Sequence, residues 1–474
     1  MKNKTKIIAT IGPASNNRVI LKKLIMAGVN VVRLNFSHGS YEQHGDVIKM
    51  VRSLSRELNQ PVGLLLDLQG PKVRTGKLKN GEPVELKRNS TFEITSRKII
   101  GGSAIVSTTY KNLPNDVKSG DKILVDDGLI ELKVLSSSDD TVSCRVRVGG
   151  ILKENKGINL PGVKVSAPSL TEKDKKDLRF GVQNEVDYVA LSFVRQAEDL
   201  RDIKKIIKKM GSDIPVIAKI EKPEAVENID DILSVTDAIM VARGDLGVEM
   251  RYEKVPTIQK MIIQKAIAAN KPVITATQML ESMHNNPIPT RAEASDVANA
   301  IMDGTDAVML SGETASGKYP VEAVKIMSKI ASEVECSPFL RYNLEHTGGH
   351  EDIVTRTVAQ SAVEIVGTVD ARVIIAFSVS GSTSKTISRY RPSKSIYAFT
   401  PLLSVYNRLA LVWGVEPTII SKIRDTRKII DAAERLLLGK KVIKKDDLVV
   451  IITGLALKSG STNMIKIHRV GQND

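Results

Sequence analysis

The sequence predicts a parallel (β/α)8 barrel, a TIM barrel, interrupted after its third strand by a small β-barrel domain and followed by a separate α/β domain. Three observations predict it. Eight short apolar runs recur with amphipathic stretches between them, a segment of period-two alternation interrupts the series once, and strand and helix signals resume after a Gly-rich stretch near residue 348.

The eight runs are KIIATIG (6–12), NVVRLNF (30–36), VGLLLDL (62–68), DYVALSFV (187–194), PVIAKIE (215–221), AIMVARGD (238–245), PVITATQ (272–278) and DAVMLSGE (306–313). Between them lie stretches such as VILKKLIMAG, AEDLRDIKKIIKKMG and KVPTIQKMIIQKAIAAN, each ending near Gly or Asn as a helix does. The catalytic barrel is therefore assigned to 1–70 and 163–340. Residues 71–162 alternate in TFEITSRK and DKILVDDGLIELKVLSSSDDTVSCRVRVGG and carry the turn pair Asp127-Gly128, the pattern of a small β domain. TGGHED (347–352) reads as a linker, and ARVIIAF, SIYAFTP, GVEPTIIS and DLVVIITG place an α/β domain at 350–474.

Composition narrows the function classes. With 474 residues the chain exceeds what one core usually holds. Apolar content of 42% and charged content of 26% are those of an ordinary globular protein. No apolar run is long enough to cross a bilayer, the start lacks a signal-peptide pattern, and the two cysteines, Cys144 and Cys336, suit a reducing cytoplasm. Six histidines are scattered without zinc spacing. A net charge of +15 is spread along the chain with only 4% aromatic residues, which fits small anionic substrates better than nucleic acid.

In a barrel of this kind the chemistry sits at the C-terminal strand ends. Those ends carry Arg33, Asn35 and Ser37; Asp67; Ser192 and Arg195; Lys219 and Glu221; Arg243 and Asp245; Thr277 and Gln278; Ser311 and Glu313. Lys219 and Glu221, two apart on one strand, share a face. Glu221 and Asp245 either hold a magnesium or manganese ion, leaving its other positions to water and substrate oxygens, or pair with Lys219 and Arg243. RGDLGVE (243–249) is placed to start a short helix. GETASGKY (312–319) imitates a phosphate-binding loop, but Tyr319 stands where the metal-binding hydroxyl belongs, and Pro320 opens a helix instead.

TIGPAS, RLNFSHG, LLDLQGPKVRTG, KGINLPG, AKIEKPEAVEN, VARGDLGVE, TATQMLESM, PTRAEASDVANAI and VMLSGETASGKYPVEAV occur in the order and spacing of the pyruvate kinase family, and SRYRP, LALVWGVEP and GSTNMIKIHRV extend the resemblance over essentially the whole chain. The resemblance implies transfer of a phosphoryl group from phosphoenolpyruvate to ADP, yielding pyruvate and ATP. It implies Glu221 and Asp245 as holders of the divalent metal and Lys219 as the group that stabilises the transferring phosphoryl and the enolate. Gly244 and Asp245 would cradle the substrate carboxylate, Arg33 would grip the phosphoryl group, and Arg74 would hold the site's anions and lid. Thr277 and Ser311 would place water or relay the final proton. Pro13 and His38 would flank adenine, with Asn35 and Arg74 nearby, and Lys156 and Asp127 would belong to a closing lid.

Two finer expectations follow. SVSGSTSK (378–385) follows a strand and opens a helix, so Ser378, Ser380, Gly381, Ser382 and Thr383 are candidates to hold a phosphorylated effector, although many family members carry Arg at the position of Ser382. The family's usual homotetramer is expected with it. Asn35, Ser37, Asp67 and the carbonyl of Leu68 resemble a potassium site. Members that require potassium show Thr-Lys-Gly-Pro-Glu after the aspartate, where this chain has Leu-Gln-Gly-Pro-Lys, so Lys72 is expected to replace the ion and remove the potassium requirement. Another enzyme of phosphoenolpyruvate or a 2-oxo acid could use the same barrel and metal pair without the nucleotide motifs. A non-catalytic relative would be expected to lack Lys219, Glu221, Asp245 or Thr277.

Overall fold

Strand Lys6–Thr10 (β1) is buried at every position and pairs in parallel with Val29–Asn35 (β2). Six more parallel strands complete a closed barrel: Gly63–Asp67 (β3), Tyr188–Leu191 (β4), Val216–Ile220 (β5), Ala238–Ala242 (β6), Val273–Ala276 (β7) and Ala307–Leu310 (β8), which returns to β1. All eight coincide with the apolar runs of the sequence. The computed structural model describes residues 3–166, 168–338, 340, 353–422, 425–454 and 462–472; the expected linker at 347–352 lies outside them.

Alternation along each strand divides the core in two. Ile8, Val31, Leu65, Tyr188, Ile217, Met240, Ile274 and Met309 fill the barrel interior. Their neighbours, among them Ile7, Val32, Leu64, Val216 and Val308, face the surrounding helices. The helices are bounded as their sequences require. Asn17 caps Arg18–Ala27, which stops at Gly28 (φ 123°), while Thr290 and Glu293 form a capping box on Arg291–Met302.

The inserted domain has its own core around Phe92, Ile94, Leu132 and Val146. Its six-stranded sheet runs from Ile158–Asn159 through Lys122–Val125, Ile130–Ser137, Thr141–Val148 and Thr91–Thr95 to Ile105–Ser107, beside a two-stranded pair. Isolated bridges Arg74↔Gly157 and Thr75↔Thr108 join the two edges, so the sheet closes on the segment that enters from the barrel.

The C-terminal sheet has the order Val415–Ile419, Ile396–Thr400, Ile374–Phe377, Leu448–Thr453, Met464–Arg469. The first four are the strands read from the sequence. Met464–Arg469, antiparallel to its neighbour, is an addition, and its partly exposed edge position explains the weak apolar signal. This domain closes the N-terminal mouth of the barrel: Leu411 joins the interior cluster, and Tyr188 donates to the Arg408 carbonyl at 2.8 Å. Lys6, 2% exposed, donates to the Val415 carbonyl at 2.8 Å.

Candidate active site

Five strand ends converge on Asp67. The chain turns away from β3 through Gly70 (φ 67°), where a Cβ would come within 2.9 Å of Phe193, so the carboxylate stays behind in the barrel mouth. Arg33 Nε, from β2, donates to Asp67 Oδ2 at 2.7 Å, and its Nη1 donates to Thr10 Oγ1 of β1 at 2.9 Å. Lys219 Nζ, from β5, stands 3.3 Å from Asp67 Oδ1 and 2.8 Å from Glu221 Oε1, and donates to Ser192 Oγ at 2.7 Å. Ser192, just beyond β4, in turn donates to the Leu68 carbonyl at 2.7 Å. The Phe193 amide holds Glu221 Oε2 at 2.7 Å, with Phe193 itself at φ 56°.

The electrostatics follow from this packing. Burial works to lower the Lys219 ammonium, but the carboxylates of Asp67 and Glu221 outweigh it and hold the group charged well above its ordinary value. Burial pushes Asp67 up, and Lys219 with Arg33 overcomes that, keeping it below the usual carboxylate range. Glu221 goes the other way: burial and the nearby Asp245 charge raise it.

β6 to β8 supply the opposite wall. Helix Arg243–Glu249 begins directly at the end of β6, as RGDLGVE predicted. Arg243 does not pair with Asp245. Its Nη1 bonds Asp296 at 2.7 Å and its Nη2 donates to the Thr277 carbonyl at 2.7 Å. That clamp sits on a strained turn, since Thr277 (φ 68°) and Gln278 (φ 53°) are both left-handed. The Thr277 hydroxyl accepts the Gly244 amide at 2.7 Å and donates to the Ala276 carbonyl at 2.6 Å. Ser311 follows β8, and the buried Glu313 pins its amide at 2.7 Å. GETASGKY forms the short helix Gly312–Ala315 and the lead into Pro320–Cys336; Gly317 packs so tightly that a Cβ would come within 2.5 Å of the Glu313 carbonyl.

A divalent cation fits this donor set. Glu221 and Asp245 stand at the ends of paired strands, the Asp245 charge raises Glu221, and among the described residues Asp245 has no ion-pair partner. Among the described residues no group of three or more His, Cys, Asp or Glu could hold a metal. Two carboxylates are hard oxygen donors, the ligand class of a divalent cation that also keeps water.

The other expected residues lie around the mouth. Pro13 and His38 follow the adjacent strands β1 and β2, and both are exposed. His38 is held below the usual imidazole range by partial burial and by Arg74, Lys72 and Arg33. Asn35 Oδ1 accepts the Ser37 amide at 3.1 Å. Lys72 does not reach Asp67: its Cε lies 3.5 Å from the position of a Cβ on Gly157, at the entry to the inserted domain. The Asp67 ion-pair partners among the described residues are Arg33 and Lys219. Arg74 Nη1 bonds the Asn155 carbonyl at 3.0 Å, and Lys156 pairs with Asp126 at 2.8 Å beside Asp127.

Far from the barrel mouth, Gly381 (φ 81°) caps helix Ser382–Arg389. Ser380 and Ser382 hydroxyls lie 3.0 Å apart, Thr383 bonds Thr462 at 2.6 Å, and Ser378 is buried.

Thr10 and the clamp role of Arg243 were missed by sequence reasoning. Thr10 reads as an ordinary β-branched strand residue, and only the neighbouring guanidinium gives it a role. The sequence did place Arg243 and Ser192 at strand ends, without their partners.

The pyruvate kinase barrel domain model matches residues 2–324 and the pyruvate kinase alpha/beta domain model matches 356–468. The chain is 46% identical to pyruvate kinase 2 of Synechocystis sp. over 476 residues, covering 99% of this chain and 80% of that relative. It is 46% identical to a pyruvate kinase of Geobacillus stearothermophilus over 473 residues, with the same coverage. A solved pyruvate kinase from Cryptosporidium parvum superposes with a TM-score of 0.92 at 39% identity, over 99% of this chain and 96% of that one. Both domain matches, and relatives similar over 99% of this chain, carry the conclusion past a shared barrel: this chain belongs to the pyruvate kinase family of phosphotransferases.

Proposed function

We propose that this chain transfers the phosphoryl group of phosphoenolpyruvate to ADP, giving pyruvate and ATP, in the cytoplasm. Lys219 carries the reading. Its ammonium is fixed before substrate arrives by Asp67, Glu221 and Ser192, and a preorganised cation where phosphoryl and enolate charge develops is what this chemistry needs.

Arg33, oriented by Asp67 and Thr10, grips the phosphoryl group. Glu221 and Asp245 hold Mg2+ or Mn2+, which when bound offsets charge on substrate oxygens. The Gly244 and Asp245 amides take the substrate carboxylate. Because Thr277 accepts the Gly244 amide, a carboxylate that took this amide would free a lone pair on the hydroxyl oxygen, whose own proton points to the Ala276 carbonyl; Thr277 with Ser311 then places water or relays the proton that reaches the enolate carbon. Pro13, His38 and Asn35 receive the nucleotide, with Arg74 and Lys156 closing from the inserted domain as a lid. A neutral imidazole suits stacking on adenine, in keeping with the lowered His38.

The reaction proceeds without potassium. Both Asp67 oxygens face cations and the Leu68 carbonyl accepts Ser192, which leaves little at Asn35, Ser37, Asp67 and Leu68 to hold a further ion. Lys72 brings its charge to the same mouth, where it acts on His38. A phosphorylated effector binds at Ser378, Ser380, Gly381, Ser382 and Thr383 in a homotetramer. The left-handed cap at Gly381 supports an anion nest there.

The test is pyruvate formation from phosphoenolpyruvate, ADP and magnesium, with potassium present or absent, and with sugar phosphates, AMP or phosphoglycerate added. Absence of ADP-dependent pyruvate overturns the reading. Strong potassium activation removes the Lys72 role alone, and indifference to every effector removes the regulatory site alone.

A further inference from the structure

The short helix that starts at β6 has one end in the site and the other on the inserted domain. Its first turn contains Asp245 and it finishes at Glu249, which is 3% exposed. Glu249 Oε1 accepts from two donors on different bodies. Lys222 Nζ, one residue after Glu221, donates at 2.6 Å, and Asn159 Nδ2, in the last strand of the inserted domain, donates at 2.8 Å. That strand is pinned in its own sheet, with Asn159 opposite Leu124.

A second contact lies one residue earlier. The Asp127-Gly128 turn of the inserted domain passes over Val248, where a Cβ on Gly128 would lie 3.9 Å from Cγ1. The return segment is held as well, by Arg195 Nη1 to the Val165 carbonyl. Beside Glu249 is a cavity of about 40 Å³ lined in part by Lys72, Val73, Phe193 and Arg195. Glu249 Oε2 is buried and accepts no hydrogen bond from the described residues. A carboxylate with a spare oxygen can follow a moving donor without releasing Lys222.

We propose that Glu249 is a positioning residue, through which the contents of the site set the seat of the inserted domain by way of Asn159. Asp245 and Glu249, four apart, lie one turn from each other on the same face of this helix, which gives a shift at one a direct path to the other. Coupling of this kind is reciprocal: seating the lid also tightens substrate binding. The inference rests on the function proposed above, since phosphoenolpyruvate and magnesium are the occupants assumed.

The experiment compares wild type with Asn159→Ala in the full chain. Hydrogen exchange over residues 70–76 and 153–166 is measured with and without phosphoenolpyruvate and magnesium, alongside kcat and both KM values. Phosphoenolpyruvate and magnesium slow exchange in the wild-type lid strands; in Asn159→Ala that slowing is lost, kcat falls about tenfold, and phosphoenolpyruvate binding weakens about fivefold, the low end of typical coupling. Glu249→Gln, which keeps an acceptor for Asn159, retains the slowing. If Asn159→Ala does not fold, Asn159→Ser, too short to reach Glu249, gives the same reading. Unchanged protection in the Asn159 variant overturns the proposal, whether or not kcat falls, because a merely structural contact would lower stability alone. Exchange is read without turnover, so a wild type that makes no pyruvate fails the proposed function and leaves this comparison standing.

Discussion

The Lys219 ammonium lies 2.8 Å from the Glu221 carboxylate, two residues along the same strand end. The pair sets the proposed charge-stabilising group and one proposed metal-holding group in a single geometry, so removing the cation should leave Glu221 in place. Lys219→Met is expected to lower kcat about 10²–10³-fold, the cost of one preorganised donor at ~3–4 kcal/mol. Manganese binding should persist, because the Phe193 amide still orients Glu221. Near-wild-type turnover in the folded variant would remove Lys219 from the chemistry.

Lys72 is tested by charge. The wild type is expected to be fully active in a buffer free of potassium, sodium and ammonium, and Lys72→Glu to depend on added potassium. Titration of potassium against both enzymes decides it.

Thr277 combines the hydroxyl proposed to relay the proton with a backbone that a side chain resists, at φ 68°. Thr277→Ala loses the hydroxyl and keeps the strain; Thr277→Gly loses both. Each variant should lose activity about 10²-fold or more, as a missing proton-transfer group does. The Gly variant should nevertheless be about 1 kcal/mol the more stable of the two, reflecting relief of left-handed strain. Urea unfolding of the pair measures this, and equal stabilities would mean the turn is not strained.

Asp67 is held below the ordinary carboxylate range by Lys219 and Arg33 against the effect of burial. Its folded pKa is lower than its unfolded one, so the stabilisation is fully present above about pH 4 and is lost as pH falls through the folded value. At pH 7, Asp67→Asn should cost about 3–5 kcal/mol, since two buried cations lose their shared partner. The gap between variant and wild type should narrow below about pH 4 in denaturant titrations. A constant gap across that range would show that the charge is not what matters.

The barrel was legible because its strands are short apolar runs, seven of the eight read as ending in polar groups, and those runs mark both the fold and the mouth. Helix Arg243–Glu249 and the carboxylates Glu221 and Asp245 could be placed at the mouth for the same reason: strand ends are local in sequence. Partnerships were not. Lys72 and Arg74 follow Asp67 closely in DLQGPKVRTG, yet the left-handed turn at Gly70 sends them toward the inserted domain. The cations at Asp67 come instead from Arg33, 34 residues away, and from Lys219 on another strand. Asn159 and Glu249, 90 residues apart, meet only because the inserted domain folds back over β6. Sequence alone determined which residues stand at the barrel mouth, since the alternation that buries one face of a strand is written in it. Tertiary structure decided which of them touch, because closing the barrel and turning the chain at Gly70 bring distant strand ends within hydrogen-bonding reach and carry near neighbours apart.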